Sequence, residues 1–151
     1  MTGAARFPIP LLAVALALLA LPACGRKASP RPPEDAVPQA IRELTAENIE
    51  PGIRLTWERP RVYADGSKLY DLAGFEIWRM SPPQETQFRR IDTVIVEDRE
   101  RFQQVKKFAR VDSDIQPGNL YQYYLVTFTL DGYFSQPSNV ATITRMETEV
   151  E

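Results

Sequence analysis

The chain has 151 residues, enough for one domain of ordinary size and too few for two. Its formal net charge of −2, from 18 basic and 20 acidic residues, argues against a nucleic-acid binder, which needs a basic face to neutralise phosphates. With no histidine and one cysteine, it lacks the residues for His/Cys metal sites, Ser-His-Asp triads or an internal disulfide, and no cofactor is expected.

After Arg6 comes an uncharged stretch, Phe7 to Ala23, rich in leucine and interrupted by three prolines. A membrane-spanning helix needs about 20 apolar residues, and this one falls short. A positive start, a short apolar core and small residues before a cut site describe an export signal over residues 1–23. The end of that stretch, Leu21-Pro22-Ala23-Cys24-Gly25, resembles the lipobox of bacterial lipoproteins. The resemblance implies that the Cys24 thiol takes a diacylglyceryl group before cleavage, and that the new amino terminus is usually acylated (commonly with palmitate). Pro22 departs from the pattern, which more often has a small or polar residue there. Several acyl chains hold a protein stably where one holds it only marginally. By resemblance to the sorting rules of Gram-negative lipoproteins, Gly25 implies the outer membrane, within the cell envelope.

Residues 24–39 read as a tether. Pro30, Pro32, Pro33 and Pro38 exclude a helix, no apolar periodicity is present, and such a stretch is a semi-rigid, extended spacer. Arg26, Lys27 and Arg31 lie near the anchor, where anionic headgroups attract each by about 1 kcal/mol.

Residues 40–146 read as the folded domain, with 147–151 as a tail. Ile53 to Glu58 alternates strictly, with Ile53, Leu55 and Trp57 on one face, which marks a half-buried strand. Further strands are expected at Ala73–Met80, at Tyr121–Thr129 and, after an Asp131-Gly132 turn, at Asn139–Thr144. Shorter ones are expected at Ile41–Glu47, Phe88–Val94 and Val105–Val111. Seven short strands with turn signals between them point to an all-β, antiparallel sandwich.

Trp57, the strand Gly74-Phe75-Glu76-Ile77-Trp78-Arg79, and the run from Ile115 through Pro117, Gly118 and Tyr121 resemble a fibronectin type III domain of immunoglobulin-like fold. The resemblance spans about 100 residues, and Pro117-Gly118-Asn119-Leu120-Tyr121 is its most specific part. It implies that Tyr121 is a buried corner tyrosine whose hydroxyl bonds to upstream backbone. Ile115 stands where Leu is usual, and Thr127 where a small apolar residue is common. The segment Val96–Lys107 is longer and more charged than is usual there.

Such domains are mostly spacers or binding modules, so function is sought on the surface. If Tyr121, Tyr123, Leu125 and Thr127 face the core, Gln122, Tyr124, Val126 and Phe128 face out. If Phe75 and Ile77 point inward, Trp78 and Met80 point out. Trp78, Met80, Tyr124, Val126 and Phe128 then form an apolar outer face, the candidate surface for a protein, peptide or glycan partner. Against this stands coverage of the face by Arg79 or by the Val96–Lys107 segment. A second candidate is the loop Arg59–Asp71, with Tyr63, Asp65-Gly66, Lys68, Tyr70 and Asp71, although an Asp-Gly turn needs no ligand.

Catalysis has little support. Asp112 with Asp114, or Glu97, Asp98 and Glu100, are the available carboxylate groupings, and a small sandwich offers no evident cleft between them. Calcium would need denser oxygen ligands than Asp112 and Asp114 supply. Lys106, Lys107 and Arg110 read as a solvated strand face. The expectation is a non-enzymatic, lipid-anchored envelope protein displaying a recognition or spacer domain. The alternative is an accessory subunit in outer-membrane or envelope assembly.

Overall fold

Alternating burial decides where the strands lie. Strand β2 (Ile53–Glu58) buries Ile53, Leu55 and Trp57 and leaves Arg54 and Glu58 exposed, and β6 (Leu120–Thr129) buries every second residue from Tyr121 to Thr129. The computed structural model describes residues 36–103 and 106–146. The expected signal peptide, Cys24, the tether as far as residue 35 and the C-terminal tail lie outside the described residues. The other elements are β1 (Thr45–Asn48), β3 (Leu72–Met80), β4 (Arg89–Ile95), a short helix α1 (Asp98–Gln103), β5 (Lys107–Asp112) and β7 (Ala141–Thr144). All strand pairs are antiparallel, in one sheet of order β1-β2-β5 and another of order β4-β3-β6-β7. The seven-stranded sandwich expected from the sequence is therefore present.

Aromatic rings join the two sheets. Trp57 of β2 meets Phe75 of β3 edge-on at 5.4 Å between centroids, and Phe108 of β5 lies 4.9 Å from Phe75. Around them pack Ile53, Leu55, Ile77, Tyr121, Tyr123 and Leu125. Tyr121 is the corner residue: its hydroxyl accepts the backbone N–H of Gln116 at 2.8 Å, beside Gly118 at a φ of +80°. That left-handed conformation favours glycine, which has no Cβ to clash.

Three segments differ from the sequence expectation. At the first strand, regular pairing begins only at Thr45, although Ile41 and Leu44 are buried. Asn139 accounts for this. Its side-chain amide takes the N–H of Leu44 and donates to the Leu44 carbonyl, both at 2.9 Å, in place of a strand neighbour. The last strand begins at Ala141 for a related reason. The Asp131-Gly132 turn forms, with Gly132 at a φ of +82°, but the chain beyond it departs from a regular strand. There the hydroxyls of Ser135 and Ser138 accept the N–H groups of Thr127 and Leu125. Finally, the charged segment after Val96 forms α1. Arg101 ties that helix down by donating to the carbonyls of Leu72 and Val96, each at 3.0 Å.

A polar network lies inside the sandwich. Arg79 is 4% exposed and donates to Asp112 at 2.8 Å and to the Asp114 carbonyl at 2.7 Å; the Tyr123 hydroxyl donates to Asp112 at 2.9 Å. Burial by itself lowers the Arg79 pKa, but the Asp112 hydrogen bond and charge outweigh it and hold the guanidinium above its usual value. Burial, followed by the Asp112 charge, pushes the Tyr123 hydroxyl far above the ordinary tyrosine value. Asp112→Ala strands the buried Arg79 charge, so it should cost about 3–5 kcal/mol, read from the denaturant midpoint. Tyr123 also gives an alkaline signature. Its raised folded pKa keeps its contribution whole below about pH 10, the unfolded value, and removes about 1.4 kcal/mol per pH unit above it. Tyr123→Phe should flatten the alkaline decline by that one-proton slope in a pH series of melts.

Candidate functional site

The parity that sends Phe75 and Ile77 inward turns Trp78 and Met80 outward on β3, and β6 presents Tyr124, Val126 and Phe128 on the same side. All five are half-buried on the outer face of the four-stranded sheet. Register brings them together: Trp78 lies opposite Tyr124, Glu76 opposite Val126, and Gly74 opposite Phe128. The Trp78 and Tyr124 rings stack 5.8 Å apart with planes 11° from parallel, and Phe88, from the segment before β4, closes on Tyr124 at 4.6 Å.

Gly74 is required here by close approach. A Cβ at that position would come within 2.4 Å of the Val94 carbonyl and 2.7 Å of the Phe128 ring. Its absence lets Phe128 lie across β3 and meet Phe134 at 5.8 Å. Ile95, opposite Gly74 on β4, is 60% exposed, and Phe134 is 51% exposed. The outer face is therefore broader than the sequence suggested.

One charge pair sits within this apolar surface. Glu76 accepts the indole N–H of Trp78 at 3.2 Å and pairs with Arg90. Burial, then the Glu76 carboxylate, raises the Tyr124 pKa above its ordinary value. Stacked aromatics around one carboxylate suit recognition of another surface.

One expected cover, Arg79, does not lie over the face. Arg79, one residue after Trp78, points into the sandwich, and the bonds that fix Arg101 of α1 go to Leu72 and Val96. The loop Arg59–Asp71 is largely self-satisfied. Tyr63 is buried and donates to Asp71 at 2.5 Å, and Asp65 accepts the Ser67 N–H at 2.8 Å in a turn around Gly66. Of the candidate carboxylates, Asp112 is committed to Arg79 and Tyr123, Asp98 pairs with Arg101 at 2.5 Å, and Glu100 accepts the Glu97 N–H at 3.0 Å. Among the described residues, no three His, Cys, Asp or Glu side chains come together to hold a metal. A groove of about 610 Å³ runs between the free edges of β4 and β5. Its charges are paired, Arg110 with Asp92 at 2.5 Å, Arg79 with Asp112, and Arg89 with Glu85 outside the groove.

No protein-family model and no curated protein sequence matches the chain. Among solved structures it is similar to the twitchin kinase region from C. elegans, whose parts run Fn31-NL-kin-CRD-Ig26. The likeness has 16% identity and a TM-score of 0.53, and covers 76% of this chain and 18% of that one. It is also similar to an Fn3-like protein from Clostridium thermocellum, at 17% identity and TM-score 0.49, over 75% of this chain and 98% of that one. A third likeness is to titin kinase with its flanking domains, at 12% identity and TM-score 0.48, over 72% of this chain and 17% of that one. This chain thus spans less than a fifth of the twitchin and titin structures it matches. At such identities the likeness concerns the fold alone. The sheet orders agree with it: β4 pairs with β3 and not with the β1-β2-β5 sheet. The described domain is an all-β, fibronectin type III-like sandwich.

Proposed function

We propose that this chain is a non-catalytic, lipid-anchored protein of the cell envelope whose sandwich presents the outer face of the β4-β3-β6-β7 sheet to a partner protein. The observation that carries the reading is the stacked pair of Trp78 and Tyr124, flanked by Phe88 on one side and by Val126, Phe128 and Phe134 on the other. Scattered surface hydrophobes are ordinary, but a contiguous row of aromatics across a sheet is a recognition feature. Aromatic side chains also supply large contact area at low entropic cost, which is why few residues carry most of the affinity in an interface. The anchor reading rests on Leu21-Pro22-Ala23-Cys24 and on the absence of any other cysteine in the chain. Lipidation consumes that thiol, leaving a domain with neither thiol nor imidazole and so with little equipment for nucleophilic or acid–base work.

Two measurements test the two halves. Trp78→Ser/Tyr124→Ser should weaken partner capture by thirty-fold or more, about 2 kcal/mol, in crosslinking on intact cells, with the circular dichroism spectrum kept. Unchanged capture by a folded double variant would remove the recognition face. Cys24→Ser should abolish lipid labelling and leave the chain uncleaved or adrift from the membrane; a labelled Cys24→Ser chain would end the anchor reading.

A further inference from the structure

The chain joins the domain at one particular end. Val37 accepts the Ala64 N–H at 2.8 Å, Pro38 bridges to Tyr63, and Gln39 donates to the Val62 carbonyl at 3.1 Å. These contacts put the residues leading back toward Cys24 against the loop Arg59–Asp71. Eleven residues lie between Cys24 and Ala36, so covalent reach alone keeps this end within about 40 Å of an acyl chain on Cys24.

That end of the sandwich gathers cations into one groove. A groove of about 400 Å³ there is lined by Arg59, Arg61, Lys68, Arg101 and Lys106, together with Tyr70 and Leu69. Its lining holds five cations and no acid, in a chain whose net charge is −2. Arg101 pairs with Asp98, but Arg59, Arg61, Lys68 and Lys106 take part in none of the ion pairs among the described residues. Arg59 shows the crowding: burial, and then the nearby Arg101 charge, lower its pKa. Beside the cations, Tyr70 is 67% exposed. Leu130, whose N–H bonds to the Asp71 carbonyl, is 60% exposed. Unpaired cations beside an exposed tyrosine and leucine are the makeup of a surface that meets the headgroup layer of a membrane.

We infer that this basic end, built from Arg59, Arg61, Lys68, Arg101 and Lys106, is a docking surface for the phosphate groups of anionic lipids in the membrane that carries the anchor. The inference rests on the anchor reading for the choice of membrane, and on the groove itself for the binding chemistry. The anchor restricts the domain to the neighbourhood of the bilayer, and the groove selects which end faces it. Tyr70 and Leu130 then reach the headgroup boundary while the cations engage phosphates.

The test uses the full chain carrying Cys24→Ser, which has no acylated cysteine, and so reads the groove independently of the anchor. Its flotation is compared on vesicles of phosphatidylcholine alone and of phosphatidylcholine with about a third phosphatidylglycerol, a common model of an anionic surface. The apolar stretch Phe7–Ala23 contributes to both, so the ratio of the two partition coefficients is the readout. Arg61→Ala/Lys68→Ala should lower that ratio about twenty-five-fold, from about five-fold per cation removed. Arg54→Ala/Arg89→Ala removes two exposed cations from the opposite end and should leave it near the starting value. Equal losses in both variants would overturn the proposal, since they would report net charge alone; so would an unchanged ratio in Arg61→Ala/Lys68→Ala. Displacement from the anionic vesicles by low millimolar inorganic phosphate, at constant ionic strength, would make the groove a small-anion site and overturn the lipid assignment. A negative result leaves lipid labelling at Cys24 to stand or fall on its own measurement.

Discussion

The contact of Trp57 with Phe75 and Phe108 sets the constraint on which the rest depends. Once those three rings fill the space between the sheets, the side of every other residue on β2, β3 and β5 follows, because strand side chains alternate with a period of two. A slip of one residue in β3 would bury Trp78 and expose Phe75. It would also remove Arg79 from the interior, where Asp112 and Tyr123 wait for it. The inner core and the outer aromatic row are thus two readings of one register. Gly74 extends the same logic to the second face, since only a missing Cβ lets Phe128 cross β3 there.

The interior polar network and the outer Glu76–Arg90 pair solve different problems. Arg79 is closed from water and bonds through its Nη1 to Asp112 and the Asp114 carbonyl, with its Nε left unbonded, and so it ties β3 of one sheet to the end of β5 in the other. A network of this kind stabilises little unless it is complete, but losing one member leaves a buried charge. Glu76, buried and bonded to the Trp78 indole and Arg90, instead gives a broad apolar surface one fixed polar point.

What was legible in the sequence is what local periodicity determines. Ile53 to Glu58 and Tyr121 to Thr129 announce their faces by alternation, and Pro117-Gly118 with Asp131-Gly132 mark their turns. Trp78, Met80, Tyr124, Val126 and Phe128 followed from parity alone. Long-range substitutions for backbone pairing were not legible. Asn139 stands in for a strand neighbour of Leu44 across 95 residues, and no local pattern signals it. Helix α1 is short and charged, without an apolar period, and is held by Arg101 reaching to Leu72. Phe88, Ile95 and Phe134 join the outer face only through strand register, including the irregularity between Ile77 and Trp78. The basic end was legible only in part. The loop Arg59–Asp71 stood out as a binding candidate, but only the fold brings Arg101 and Lys106 beside it.

The stitches around β1 carry a mechanical consequence. Leu44, before the strand, is bonded to Asn139, while Asn48, at its far end, donates to the Thr144 carbonyl. Arg145 then reaches the carbonyls of Ile49 and Gly52 at 2.7 and 2.9 Å. The bonds of β1 to β2 therefore have no loose end from which to open, and the clasps before and after the strand must give in the same event. A strand stitched at both ends comes away in one step instead of fraying gradually.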